Sequence, residues 1–421
     1  MNRTTIGPMV CRRTGVTAEA CGCVTIFPVS TRLPEQPAPI GGASHVELMR
    51  RILKITGRLA LVLLAVLVVA GVAFANLSPE LGGKPTKAQK AAYARTGRYH
   101  DGEFRNLEPT EVMTGGSTFS VLWRFLFTKV TNAAPAAPLP TQPLDSSSIT
   151  RKTPETVRVT WFGHSASLVE IGGKNVLLDP MLSVQMGPLS WVTPRRYNPS
   201  LAITAEQLPA IDAVLISHDH YDHLDYQTIR RLKDKTARFL VPLGVGAHLL
   251  AWGVAPEKIQ ELDWQDSVRL PGLTIISTPA RHFSGRGLTN RNSTSWSSWV
   301  LKTPTHRVFY SGDGGYGQHF RAIGQQHGPF NLALLECGQY DANWAQIHML
   351  PEQSVQAALD VRARAMLPVH WGAFTEAHHA WNEPVRRATA AAALHQLPIT
   401  TPELGQPVTL GQPLPQRRWW E

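Results

Sequence analysis

The chain has 421 residues, of which 43% are hydrophobic and 17% charged, and it carries a formal net charge of +10. This is a globular composition, long enough for one large domain or two ordinary ones. Positive charge suits nucleic acid or an anionic membrane surface, but no run of lysines and aromatics resembles a nucleic-acid module, so the membrane is favoured. The four cysteines imply no disulfide framework, and only Cys337 lies in the predicted core.

The N-terminal part of the chain predicts an export or anchoring signal. Residues 1–48 have mixed composition without periodicity, so we expect them to be disordered or to precede a true start at Met49. Basic residues then lead into an uncharged apolar run from Leu59 to Ala75, at the short end of a membrane span. Ala73-Phe74-Ala75 fits a cleavage site. Residues 49–76 are therefore predicted to be a signal peptide or a membrane anchor.

The next segment, residues 77–155, shows little periodicity and is predicted to be an extension or linker that packs on the core. A short helix is expected within Lys84–Arg98, followed by a loop from Tyr99 to Phe104. A Pro/Ala-rich stretch from Ala133 to Pro143 is typical of a linker or a wrapping segment.

A single folded domain is predicted over residues 156–421. It opens with a strand at Val157–Phe162, a turn containing His164, and a hairpin closed by Gly172-Gly173. Strands and helices then alternate, and strands return in the second half. This order predicts an α/β fold of the αββα type, in which two mixed sheets pack face to face with helices outside.

The strongest motif is Ser217-His218-Asp219-His220-Tyr221-Asp222-His223-Leu224-Asp225, which directly follows a buried, apolar strand. His218 and His220 are two residues apart, so both imidazoles can face one ion, and Asp222 and His223 can reach a second. Imidazole suits zinc, iron and nickel, while carboxylate admits harder ions. The spacing therefore predicts a metal site.

Three later residues provide further candidate ligands. His282, Asp313 and His370 each follow a predicted strand, which is the pattern expected of a site at one edge of a sheet. The glycines around Asp313 are expected where backbone passes close to the ions.

In these segments the chain resembles the metallo-β-lactamase superfamily, and within it N-acyl-phosphatidylethanolamine-hydrolysing phospholipase D and the bacterial RomA-like proteins. The resemblance covers roughly Thr156 to the C-terminal region. Besides the motif above, it rests on Trp161-Phe162-Gly163-His164-Ser165, Arg281-His282, Trp296-x-x-Trp299, Tyr310-Ser311-Gly312-Asp313 and His370-Trp371-Gly372-x-Phe374.

The resemblance implies two divalent ions, with zinc expected and manganese or iron open. One ion would be held by His218, His220 and His282, and the other by Asp222, His223 and His370. Asp313 would bridge both ions, and Asp222 and Asp313 would be the catalytic carboxylates that help to activate water.

Other residues are expected around the ligands. Asp179 and His164 are predicted to support them, since ligating histidines usually need an acceptor for their other N–H. Arg281 and Trp299 are predicted substrate contacts, because the basic and aromatic loop beside His282 suits an anionic, partly apolar substrate. His348, which precedes a predicted amphipathic helix, is a further candidate substrate contact, with packing before the helix as the alternative.

The resemblance implies a binuclear metal-dependent hydrolase that cleaves a lipid phosphodiester, such as that of N-acyl-phosphatidylethanolamine, by metal-activated water. A lactonase or esterase acting on a small anionic substrate is the alternative. The N-terminal segment predicts a protein of the bacterial cell envelope, anchored or exported, with a periplasmic catalytic domain. Its expected partners are the substrate and the membrane, without nucleic acid.

Overall fold

The computed structural model describes residues 42–117, 121, 123–124, 127–150, 153–189 and 193–421. The chain divides into two units, which meet in sequence between Val68 and Val69. Most of the segment expected to be disordered, residues 1–48, lies outside the described residues. Helix α1, Gly42–Leu77, contains the predicted apolar run. From Ser44 onward it is long and apolar enough to span a membrane, a property that signal sequences share.

The second unit contains the other described helices and all described strands. The helices are α2 Lys87–Tyr93, α3 Ser146–Thr150, α4 Tyr226–Leu232, α5 Gly246–Ala251, α6 His319–His327, α7 Pro351–Asp360 and α8 Glu383–Leu394. Short 3₁₀ turns lie at Pro79–Leu81, Ala94–Thr96, Pro256–Lys258 and Ala342–Trp344.

Strands β1, Tyr99–His100, and β2, Glu103–Phe104, form a small antiparallel hairpin. The expectation of a loop here was wrong. Asp101 and Gly102 both have positive φ, 55° and 86°, which is the backbone geometry that closes a two-residue hairpin.

Two large mixed sheets follow. The first contains β3 Arg158–Trp161, β4 Ser167–Ile171, β5 Lys174–Leu178, β6 Ile211–Leu215, β7 Thr236–Pro242, β8 Ile259–Leu262 and β15 Pro407–Thr409. Its strand order is β15-β3-β4-β5-β6-β7-β8. The second contains β9 Ser267–Leu270, β10 Leu273–Thr278, β11 Ser298–Lys302, β12 Arg307–Tyr310, β13 Leu332–Glu336 and β14 Met366–Val369. Its order is β14-β13-β12-β11-β10-β9.

The cores follow from the two-residue periodicity of the strands. On β4, Val169 and Ile171 face a core shared with strands of the second sheet, while Leu168 faces α4 and α5. On β12, Val308 joins the shared core and Phe309 packs against α6, α7 and α8. This confirms the predicted αββα sandwich.

The sandwich brings several strand ends to one edge. Strands β5 and β6 are parallel neighbours, as are β12, β13 and β14. Asp179 follows β5, Asp313 lies just beyond β12, and His370 follows β14. Polar residues that follow parallel strands therefore meet at the carboxyl edge of the sheets, where α/β proteins commonly carry their sites.

Candidate metal centre

The first histidine cluster consists of His218, His220 and His282. Nε2 of His218 lies 2.8 Å from Nδ1 of His220, and Nε2 of His282 lies 3.3 Å from that same Nδ1. The Nδ1 atom of His282 is 3.0 Å from the carbonyl oxygen of Ile347, to which it donates. This contact leaves Nε2 of His282 to face the other two rings.

Burial keeps these three imidazoles neutral. It lowers the pKa of His220 to about 4 and those of His218 and His282 well below their usual value. Neutral imidazole is the form that binds metal ions. The structure therefore provides three ligand-competent nitrogen donors that converge on one point.

The second cluster combines two histidines and two carboxylates. Nε2 of His223 lies 3.0 Å from Oδ2 of Asp222 and 3.0 Å from Oδ2 of Asp313. Nε2 of His370 is 3.2 Å from the same oxygen of Asp313. Asp313 also has a potential ligand atom within 4.8 Å of one in His282, a member of the first cluster. The Asp313 carboxylate thus lies between the two histidine clusters.

Unsatisfied atoms show that these residues fit a metal. Nε2 of His223 and Oδ1 of Asp313 are both buried. Although Nε2 lies 3.0 Å from two carboxylate oxygens, neither atom makes a hydrogen bond of suitable geometry in the described part of the chain. Burial raises the pKa of Asp313 to about 6. Burial opposes charge on His223 too, but Asp313, Asp222 and Asp179 outweigh it and raise the pKa of His223 well above its usual value. Buried donor atoms without partners beside crowded carboxylates are well suited to a divalent cation.

Asp179 lies beside the second cluster, next to His223. Its carboxylate accepts hydrogen bonds from Nδ1 of His223 at 2.7 Å and from the backbone N–H of Ser217 at 2.6 Å. The hydroxyls of Ser217 and Tyr310 donate to the same carboxylate. Asp179 therefore holds the ring of His223 against the start of residues 217–225, which we call the metal-binding loop.

His164 supports the opposite side of the second cluster. Its Nε2 lies 2.8 Å from Oδ2 of Asp222, and its carbonyl oxygen accepts the backbone N–H of His370 at 2.8 Å. His164, Asp179 and His370 all have positive φ, 54°, 36° and 66°. Such backbone is uncommon for residues other than glycine and concentrates at functional sites.

Glycine is required before Asp313 for a reason other than the expected closeness of the backbone to the ions. Gly312 has a φ of 58°, and a Cβ atom built on it would lie 2.6 Å from Cβ of Ser217. The close approach is therefore to the metal-binding loop, which carries Ser217.

A cavity of about 290 Å³ opens beside both clusters. It is lined by Val112, Met113, His220, Asp222, Phe283, Asp313, Gln339, Trp344, Ile347, His348, His370 and Glu376. His348, a predicted substrate contact, is among them, and its Nδ1 lies 3.4 Å from Oε2 of the buried Glu336.

Arg281 does not line this cavity, so its prediction as a substrate contact needs correction. Its guanidinium donates to the carbonyl oxygens of Tyr316 and Pro109, to Oγ1 of Thr110 and to Oε1 of Gln346. These bonds occupy the guanidinium in fastening the extension, residues 77–155, to the domain.

The prediction that Trp299 contacts substrate also needs correction. Its side chain is fully buried in the core between the sheets, and its Nε1 donates to the carbonyl oxygen of Ile216 at 3.2 Å. The indole therefore packs the interior behind the metal-binding loop and does not reach the cavity.

Sequence reasoning missed the contribution of the extension. The Asn106 amide brackets the backbone of His282: its Nδ2 donates to the carbonyl oxygen at 2.8 Å, and its Oδ1 accepts the N–H at 3.1 Å. Val112 and Met113 form part of the cavity wall. Nothing in the local sequence marks these residues, because their role depends on contacts between segments that lie far apart in the chain.

Comparisons with known proteins agree with this geometry. Residues 174–371 match the family model described as the Beta-lactamase superfamily domain. Over 349 residues the chain is 43% identical to an uncharacterized protein of Mycobacterium tuberculosis, a match that covers 82% of this chain and 92% of the relative. The chain belongs to the metallo-β-lactamase superfamily.

This superfamily member is a metal-dependent hydrolase, and two further relatives resemble parts of it. It is 33% identical over 227 residues to N-acyl-phosphatidylethanolamine-hydrolyzing phospholipase D 1 of Caenorhabditis elegans, covering 51% of this chain and 64% of that protein. It is 57% identical over 100 residues to Outer membrane protein RomA of Klebsiella pneumoniae, covering 24% of this chain and 75% of RomA.

Proposed function

We propose that this hydrolase holds two divalent ions, with zinc expected, and cleaves the phosphodiester of a membrane lipid such as N-acyl-phosphatidylethanolamine in the manner of a phospholipase D. The observation that carries this proposal is the composition of the cavity. The ligand clusters contribute His220, Asp222, Asp313 and His370 to the lining, and five apolar side chains join them: Val112, Met113, Phe283, Trp344 and Ile347. Gln339, His348 and Glu376 complete it. An apolar pocket with a few convergent polar groups is the usual form of a small-molecule site.

In this proposal His218, His220 and His282 would hold one ion, Asp222, His223 and His370 would hold the other, and the Asp313 carboxylate would be available to both. Ions held there would lower the pKa of water and neutralise charge that develops on the phosphoryl oxygens. Asp222 and Asp313 would orient the attacking water towards phosphorus. Asp179 and His164 would keep the ligands in place through the contacts described above.

His348 is suited to hold a proton for the leaving alcohol. Its Nδ1 lies 3.4 Å from Oε2 of Glu336, a carboxyl whose pKa is raised by burial well above its usual value. This contact leaves Nε2 of His348 for the substrate. Water attacks phosphorus, the bond from phosphorus to the ethanolamine oxygen breaks, and the proton that the water loses passes through Nε2 of His348 to that oxygen.

The extension supports a membrane-associated role. The same chain that contributes Val112 and Met113 to the cavity continues back to α1, the helix with the composition of a membrane span or signal. An anchored or exported protein of the bacterial envelope, with its hydrolase domain in the periplasm, would meet lipid substrate at the bilayer surface.

The test uses the full chain, purified in detergent and loaded with zinc, on mixed micelles of N-acyl-phosphatidylethanolamine with products read by mass spectrometry. Phosphatidic acid and N-acylethanolamine are expected, and Asp313→Ala should release neither. Release of free fatty acid alone, or no turnover with two ions bound, would contradict the proposal.

The size of the cavity favours a second candidate. About 290 Å³ lies just below the usual range for drug-sized ligands, roughly 300 to 1,000 Å³. A lactone or small anionic ester would fit such a space entirely. Opening of acyl-lactones by the same zinc-loaded protein, without lipid turnover, would favour this candidate.

A further inference from the structure

Glu376 lines the cavity together with residues of both ligand clusters, although no ligand role accounts for it. Among the described residues it belongs to none of the groups of side chains that lie close enough together to share an ion. It lies on the loop that follows His370, with its side chain partly buried. Its position is therefore that of a group that faces substrate.

One oxygen of the Glu376 carboxyl has no hydrogen-bond partner among the described residues. This oxygen, Oε1, is buried. Burial raises the pKa of Glu376 well above its usual value, and the negative charge of Asp222 adds to this effect. A buried acceptor without a donor is costly, so a donor that enters the cavity would be strongly favoured.

Arg196, the cation that acts on Glu376, is already engaged elsewhere. Its guanidinium donates to the carbonyl oxygens of Met181 at 2.6 Å and Ser183 at 3.2 Å. It also lies 4.7 Å from the ring centroid of Phe374. Arg196 therefore acts on the Glu376 carboxyl through its charge, while its N–H groups donate hydrogen bonds to backbone carbonyl oxygens.

The loop around Glu376 is held in place rather than free to turn away. Oε1 of Gln339 accepts the backbone N–H of Glu376 at 2.9 Å, and Nε2 of Gln339 donates to the carbonyl oxygen of Phe374 at 3.1 Å. The Thr375 hydroxyl donates to the carbonyl oxygen of Ala133 at 2.7 Å. A side chain carried by such a fixed backbone is positioned before substrate arrives.

We propose that Glu376 is a specificity-determining residue that accepts a hydrogen bond from an N–H group in the substrate's head group. This assignment rests on the proposed phosphodiesterase function, because the scissile phosphoryl group would lie at the neighbouring ligand clusters. A substrate with an amide or ammonium N–H satisfies the carboxyl. A substrate without one leaves it unpaired, and sites built around a hydrogen bond reject such analogues strongly.

Binding measurements test this assignment without requiring turnover. Zinc-loaded full-length protein in detergent is titrated calorimetrically with three ligands. Ethyl phosphate carries no N–H group, O-phosphoethanolamine carries an ammonium group, and N-acetyl-O-phosphoethanolamine carries an amide. We expect at least one N–H ligand to bind about tenfold more tightly than ethyl phosphate. Glu376→Leu should remove that preference, while Glu111→Leu, which removes an exposed carboxylate near Val112, should retain it.

Zinc content and thermal unfolding establish whether Glu376→Leu is folded. If it is not, Glu376→Met takes its place, because methionine is similar in length and cannot accept this hydrogen bond, and it should lose the preference in the same way. An unchanged preference in the folded variant, or no preference in the unmutated protein, would overturn the assignment. If the unmutated protein shows the preference but cleaves no lipid phosphodiester, the proposed function fails and the role of Glu376 stands.

Discussion

Nδ1 of His223 lies 2.7 Å from Oδ2 of Asp179, and both side chains are fully buried. This contact fixes the ring so that Nε2 faces Asp222 and Asp313. Asp179→Asn exchanges one acceptor oxygen for an N–H₂ group, which accepts no hydrogen bond. The side chain can then no longer accept all the hydrogen bonds that His223, Ser217 and Tyr310 donate to it. We expect zinc affinity to fall about 10- to 100-fold, as measured by competition with a chelating dye. Asp234→Asn, at an exposed carboxylate, is the control, and equal affinity in the two variants would contradict the role of Asp179.

Removal of a proposed ligand should abolish both metal binding and turnover. His220→Ala takes away the nitrogen on which the first cluster converges, and Asp313→Ala takes away the carboxylate between the clusters. Each variant should bind less than the full metal complement and lose nearly all hydrolysis, as measured by elemental analysis and product release. His100→Ala, at an exposed histidine in the β1–β2 hairpin, should change neither. Full activity of either site variant would refute the ligand assignment.

The extension should be required for activity although the apolar helix is not. Trp252 donates to the carbonyl oxygen of Pro79 and Arg286 donates to that of Glu80. The hydrolase domain therefore binds the extension within a few residues of the end of α1. A protein that begins at residue 76 keeps these contacts, Asn106 and the cavity wall, and should be soluble and active. A protein that begins at residue 114 loses them and should show little activity and weakened zinc binding.

Two results would contradict this account of the extension. Equal activity of the two truncated proteins would mean that the contacts of Asn106 and of the cavity wall do not matter. An insoluble protein beginning at residue 76 would indicate that the hydrolase domain has its own apolar face for the membrane.

His319 should make stability depend on pH away from the metal centre. It is only 7% exposed, and burial, aided by the charge of Arg281, lowers its pKa to about 3. In the unfolded chain its pKa is about 6.5. Between these values the unfolded state binds the proton and the folded state does not. The stability that His319 contributes when neutral is therefore lost as pH falls, by about 2 kcal/mol between pH 7 and 5.

His319→Gln removes this titration, so the variant should lose less stability than the unmutated protein over the same pH range. Urea unfolding at pH 7 and pH 5, on protein stripped of metal with a chelator, measures the difference. His395→Gln, at an exposed histidine, is the control. Parallel losses in the unmutated protein and in His319→Gln would show that His319 becomes protonated in the folded state.

Much of the hydrolase domain is predictable from local patterns. The strand predicted at Val157–Phe162 contains β3, and the hairpin predicted to close at Gly172-Gly173 is the β4–β5 pair, because apolar periodicity and flanking breakers define them. The metal-binding loop is predictable for a similar reason, since His and Asp residues at short spacing directly after a buried strand are typical of a metal site.

The parts that sequence reasoning missed depend on distant contacts. Arg281 directly precedes His282 in sequence, but the extension engages its side chain. Trp299 lies on a strand whose alternation turns the indole into the core. Asn106 and Glu376 have no local signature, because each matters only through the residues that the fold brings to it. Proximity in sequence to a candidate ligand is therefore a poor guide to which side chains line the cavity.

Crystallography of zinc-loaded protein, with anomalous diffraction at the zinc absorption edge, tests the central claim most directly. We predict two anomalous peaks, one among His218, His220 and His282 and the other among Asp222, His223 and His370, with the Asp313 carboxylate between them. A single peak, or peaks away from these side chains, would contradict the two-ion centre and the phosphodiesterase mechanism that depends on it.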